Sequence, residues 1–240
     1  MIRDDRAVSD VVSFTLVFTT IIFMIGVVTV SGVGTLGDVQ EGTESNVAES
    51  TMRNYAGTLG DHRTSGAPRR SSTIKLQGHQ LALADSDIEI SIAGGPTLSR
   101  SPNALVRRTD TDERLVYESG ALFRTRDDDG VTVRQLPFRC GDDTAHISLM
   151  QIQGDFRYSS DNRVTLESEL VSQDISRYRA DSVTVDISGS RTSQDVWESA
   201  FRDDWDATAP SPSSTYECGA STGDIDIVIH RTTIDVDLIN

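Results

Sequence analysis

The chain has 240 residues, 37 of them acidic against 22 basic, for a formal net charge of −15. That balance argues against nucleic-acid binding, which needs a basic stripe. Lys75 is the only lysine, and so dense a carboxylate surface suits molar salt, where the Debye length shrinks to about 3 Å and self-repulsion is screened.

Residues 11–37 carry no charge. The run from Val11 to Val30 is long enough to cross a bilayer, because a helix rising about 1.5 Å per residue needs about 20 apolar residues to span about 30 Å of hydrocarbon. A secretory signal has a shorter apolar stretch, about 7–15 residues, and a small-residue cleavage site. Here Gly34-Thr-Leu-Gly37-Asp38 follows, with no Ala-x-Ala pattern, so the span is expected to stay attached. Arg3 and Arg6 precede it, and Arg53 is the first basic residue after it. The basic side should face the cytoplasm and the long C-terminal part the cell exterior.

The segment Arg6-Ala7-Val8-Ser9-Asp10-Val11-Val12 resembles the class III signal of archaeal type IV pilins. The resemblance implies a leader of residues 1–7, cut between Ala7 and Val8 by a prepilin peptidase, with the apolar helix kept as an assembly element. The usual form in salt-loving archaea has Pro where Asp10 stands, although an acidic residue in a first turn complements the helix dipole. The alternative is a plain signal anchor. Further on, Tyr117-Glu-Ser-Gly-Ala-Leu-Phe-Arg124 is similar to a strand pair in a group of uncharacterised haloarchaeal proteins with pilin-like N-termini. Together with the head motif and a Trp-containing helix, that resemblance covers most of the chain. It implies no biochemical activity.

In chain order, residues 8–61 are expected to form the apolar helix and a polar extension, with Val39, Val47, Met52, Tyr55 and Leu59 roughly along one stripe. Gly26, Gly32, Gly34 and Gly37 would allow close helix–helix approach, or are simply the glycines common in membrane helices. Residues 62–72 read as a linker from their Gly, Pro and Ser content. Residues 73–240 are the expected head. Alternating runs at 73–77, 80–83, 88–92, 114–117, 121–124, 131–134, 145–149, 163–166, 182–187, 224–229 and 233–238 predict about ten short strands in an antiparallel sandwich or related β-rich fold. This regularity excludes a disordered acidic chain. Asp127-Asp-Asp-Gly130 marks a hairpin. One helix interrupts the strands, capped by Ser193, with Val196, Trp197, Ala200, Phe201, Asp204 and Trp205 on one side to pack across the sheet. The fold class is thus α+β, with a long N-terminal transmembrane or pilin-type helix ahead of a mainly antiparallel, sandwich-like head.

Chemistry is sparse. Gly219-Ala-Ser221-Thr-Gly223 matches a nucleophile elbow, but that motif needs a helix after the serine, and a β-like run follows. His62, His79, His146 and His230 have no ligand spacing, and His146 should face solvent. The pairs Asp85/Asp87, Asp127–Asp129 and Asp203/Asp204/Asp206 lack EF-hand order. No cofactor or metal is expected. Cys140 and Cys218 both lie in the outer part and outside a cell can pair, or else remain two buried thiols. The expected function is a non-enzymatic, type IV pilin-like surface protein of the cell membrane, its helix held in lipid or packed against sister subunits in a filament. The alternative is a single-span anchored binding module that never polymerises.

Overall fold

The first proline of the chain is Pro68, so nothing in the preceding backbone forbids a helix. One helix, α1, runs from Asp5 to Ser65. It ends where Gly66 takes φ +62° and Pro68 follows, a glycine stop of the kind only a residue without Cβ adopts cheaply. The computed structural model describes residues 5–109, 112–201, 204–210, 212–220 and 223–239, and within α1 the side chains at 12–29 and from 43 onward. The chain divides into two compact units, Met1–Val47 and Ala48–Asn240.

The second unit carries β1 (Arg69–Lys75), β2 (Gln80–Ala84), β3 (Asp87–Ile92), β4 (Thr97–Arg100), β5 (Ala104–Arg108), β6 (Glu113–Glu118), β7 (Ala121–Arg126) and β8 (Asp129–Arg134). Then come β9 (Phe138–Cys140), β10 (Thr144–Gln153), β11 (Arg157–Ser159), β12 (Arg163–Ala180), β13 (Ser182–Gly189), the helix α2 (Gln194–Phe201), β14 (Asp206–Ala207), β15 (Thr215–Gly219) and β16 (Ile225–Ile239). They form three sheets, ordered β1-β12-β16-β10-β9, β11-β2-β5-β6-β7-β8 and β14-β15-β13-β3-β4. All pairs are antiparallel except β10 with β16. An α+β fold with a mainly antiparallel β unit is thus present, as the patterning predicts, and its strands divide among three sheets, one more than the two of a sandwich.

Two hydrophobic cores explain the extra sheet. The first gathers α2, the third sheet, and one face of β10 and β16 through Ala145, Ile147, Leu149, Ile225, Ile227 and Ile229. The second uses Met150, Ile152, Ile234 and Val236 from the same two strands, together with α1 residues Met52, Tyr55 and Leu59. Because strand side chains alternate between faces, odd-numbered residues serve one core at one end of β16 and even-numbered residues the other core further on. The change of phase at His230-Arg231 made two strands appear in the sequence; pairing with β12 continues across it, and the strand is one.

The predicted boundaries shift accordingly. Residues 62–72 are not a linker: α1 continues to Ser65, β1 begins at Arg69, and the compact unit already starts at Ala48. Ala48, Met52, Tyr55, Ala56, Leu59 and His62 are buried at helical spacing, so the end of the helix is part of the β unit's core. Val47, expected on that stripe, is exposed, and the side chain of Val39 lies outside the described residues. Two-residue loops join β6 to β7 and β7 to β8. In the second, Asp127 takes φ +53° at the turn while Gly130 already pairs with Thr125. A Cβ on Gly130 would stand 2.5 Å from the Arg124 carbonyl and 3.0 Å from Val196, so the glycine serves the close approach of β7 and α2 rather than the turn.

Candidate functional site

The first unit holds one span, Val12–Thr29, with mean hydropathy 2.2 and none of its side chains buried within the protein. It is long and apolar enough to cross a membrane. Its threonines hide their polarity: Thr19, Thr20 and Thr29 donate to the carbonyls of Thr15, Leu16 and Ile25 at 2.7, 2.8 and 2.8 Å. A hydroxyl satisfied by its own helix can face an apolar medium without leaving a donor unpaired. Arg6, Ala7 and Val8 belong to the start of α1, and their side chains lie outside the described residues.

Tyr117 to Arg124 forms the end of β6, a tight turn and the start of β7. Ser119 and Gly120 both have positive φ, 54° and 95°, as a two-residue hairpin turn matched to strand twist requires. A Cβ on Gly120 would come within 2.8 Å of Pro137. Phe123 packs on Trp197 of α2 at 4.8 Å between ring centroids, and Arg124 pairs with Glu49 of α1 at 3.0 Å.

Glu118, fully buried, accepts hydrogen bonds from Ser86, from Ser190 at 2.9 Å, from Thr192 at 3.4 Å and from the Arg191 backbone. The Ser190 hydroxyl itself accepts from Trp197 Nε1 at 2.6 Å and from Thr192 N at 3.0 Å, which fixes it as a donor toward the carboxylate. Burial pushes the Glu118 pKa up and the four donors pull it back, with burial dominant. The sequence motif is therefore a junction: one short segment contacts both helices, through Arg124 and Phe123, and carries the buried carboxylate of Glu118. No reading of composition singles out Glu118, because its partners come from 32 to 74 residues away.

Cys140 of β9 and Cys218 of β15 form a disulfide, with Cα atoms 5.7 Å apart and a separation of 78 positions in sequence. It ties the edge of the first sheet to the third. Beside it lies a hollow of 350 Å³ edged by Asp142, Asp143, Asp204 and Asp206, where Asp204 accepts from Cys140 N at 3.2 Å. Asp203, expected with this cluster, lies outside the described residues. Among the described residues no group of three or more His, Cys, Asp or Glu is arranged to hold a metal ion.

The elbow-like Gly219–Gly223 leads into β16, with no helix after it; Ser221 lies outside the described residues. Of the histidines, His146 is exposed. His62 is buried, with Nδ1 bonded to the Ala67 carbonyl and Nε2 to Ser168 Oγ at 2.8 Å, so it closes the end of α1 structurally.

Two hollows carry positive charge. One of 330 Å³ lies over β2, β5 and β6, floored by Ala82, Val106 and Val116, where Arg108, Arg114, Arg157 and Arg191 meet Asp85 and Asp155. A smaller cavity of 170 Å³ beside the last turn of α1 gathers Arg63, Arg134 and Arg139 around Tyr117, and among the described residues no acidic side chain lines it. No motif in the sequence links these three arginines.

The span and the disulfide-closed unit together define an α+β protein with one apolar N-terminal helix and a mainly antiparallel β domain. The chain belongs to the family of unknown function DUF7289, whose profile matches residues 6–237. No curated protein and no solved structure matches the chain.

Proposed function

We propose that this protein is a non-enzymatic, type IV pilin-like component of the cell surface. Its N-terminal helix is held in the membrane as a precursor and, after cleavage between Ala7 and Val8, packs against sister helices; its acidic β unit faces the brine outside the cell. The observation that carries this reading is the span Val12–Thr29, whose apolar side chains find no cover within the chain and whose threonine hydroxyls are already satisfied. Such a surface needs lipid or other helices around it. Transfer from lipid to a helical bundle keeps it away from water, so assembly depends on packing rather than on a new hydrophobic gain. The Cys140–Cys218 disulfide supports an oxidising compartment for the β unit, and the acidic, nearly lysine-free composition supports a salt-adapted one.

Mass spectrometry of the mature N-terminus from the native membrane tests the reading. A chain beginning at Val8 is the expected result. One beginning at Met1 or Ile2 overturns pilin-type processing and leaves the single-span anchored module.

A further inference from the structure

The cavity beside the end of α1 is electrostatically unbalanced. Arg63, from the last turn of α1, Arg134, closing β8, and Arg139, in the edge strand β9, approach it from three directions. Among the described residues none of the three makes an ion pair, although the chain carries 37 acidic side chains. The larger arginine groove is different, since Asp85 and Asp155 stand within it. Arg63 donates to Ser148 Oγ at 3.1 Å, and Arg139 to the Leu136 and Phe138 carbonyls at 3.1 and 2.6 Å. These bonds orient two guanidinium groups but neutralise neither.

Two glycines fix the walls. A Cβ on Gly60 would stand 3.0 Å from Arg134 Nη2, so the glycine lets that guanidinium lie against the helix. Gly120, at φ +95° and against Pro137, holds the opposite wall. Burial pushes Tyr117 up to about 12, with Arg134 and Arg63 acting the other way; its hydroxyl stays protonated. Burial lowers the Arg63 pKa, Tyr117 acts to raise it, and the like charge of Arg134 acts to lower it. Three guanidinium groups around one cavity with no carboxylate among its described lining repel one another, and a bound anion relieves that repulsion.

We propose that the cavity binds a tetrahedral oxyanion, phosphate or sulfate, either free or as the ester group of a surface glycan. A single carboxylate brings one negative charge and two oxygens against three guanidinium groups. A tetrahedral oxyanion offers at least three oxygens, with one charge as a sulfate ester and up to two as free sulfate or phosphate, and so reaches more of the three guanidinium groups than a carboxylate does. The volume of 170 Å³ is that of about six waters at ~30 Å³ each, enough for one such group with part of its hydration. This site does not depend on whether the leader is cleaved or filaments form.

The test uses the full-length chain in detergent and reads the thermal midpoint during titration with sodium sulfate and with sodium phosphate, against sodium chloride at matched ionic strength. Both anions also strengthen burial generically, so the comparison is with Arg134→Gln and, as a milder change at an exposed edge residue, Arg139→Gln. The expected result is a saturable rise for the native protein, of the form a bound ligand gives, with apparent affinity about tenfold weaker in each variant. In chloride alone Arg134→Gln should be no less stable than the native chain, because removing one of three like charges relieves repulsion. An identical sulfate and phosphate response in native protein and both variants, or no saturable component in the native protein, overturns the site. Dextran sulfate against plain dextran then assigns the source: competition with inorganic sulfate places the group on an ester, and failure to compete places it free in solution.

Discussion

Glu118 is the residue where charge, burial and hydrogen bonding compete most directly. A carboxylate removed from water favours its protonated form, and four donors are only a partial substitute for solvent. Its folded pKa is raised above the ordinary 4.5. The stabilisation from keeping the proton is therefore fully present below the unfolded value and is lost as pH rises through the folded one. Glu118→Gln keeps one carbonyl oxygen and removes the titration. Denaturation of both proteins across a pH series should show the variant gaining on the native chain as pH rises from about 4; a constant difference would rule out proton linkage at this site. Gly120 poses a simpler demand two residues later. Gly120→Ala must take φ +95° and displace Pro137, and should cost about 1–3 kcal/mol in denaturant unfolding. The first of these features is invisible in the sequence, where Glu118 is one of 37 acidic residues. The second is legible in part, since Ser-Gly between two alternating runs already reads as a turn.

Among the elements, α1 is the one whose role changes along its length. From Ala48 onward it presents Met52, Tyr55 and Leu59 to the second core, while Val47 remains exposed. Leu59→Ala should therefore destabilise the β unit by about 2–4 kcal/mol, whereas Val47→Ala should change it by less than about 0.5 kcal/mol. Equal, small effects in urea titrations of the full chain would show that the helix end merely lies on the surface. The helix was legible as far as its apolar and periodic residues reached. Its end at Ser65 was not, because His62 and Arg63 look like loop residues until Ser168 and Ser148 receive them. In α2 the aromatic side was legible and holds, with Val196, Trp197, Ala200 and Phe201 buried. Its expected cap acts differently: the Ser193 hydroxyl donates to the Asp128 carbonyl at 2.7 Å, which pins the helix to the β7–β8 hairpin. Asp204 and Trp205 fall beyond its last residue, Phe201, though Trp205 remains buried against Phe138 and Phe201.

For the molecule as a whole, one covalent link joins two of the three sheets. Closing a loop across 78 residues restricts the unfolded chain and should stabilise the folded one by about 4 kcal/mol on chain-entropy grounds. Replacing both Cys140 and Cys218 by alanine should lower the unfolding midpoint accordingly. Dithiothreitol should lower the native midpoint and leave that of the variant unchanged; a native midpoint indifferent to reductant would show the link contributes nothing.

The sequence by itself determined the apolar N-terminal helix, the α+β class, the run of most strands and the aromatic side of α2, because each is written in local periodicity and composition. Only the tertiary structure decided that β16 is one strand serving two cores, that the last turns of α1 belong to the β unit, and that Cys140 meets Cys218. It also decided that Arg63, Arg134 and Arg139 share one cavity. Those outcomes depend on which faces of distant segments are brought together, and a period of two or 3.6 residues repeats identically whichever partner lies across it.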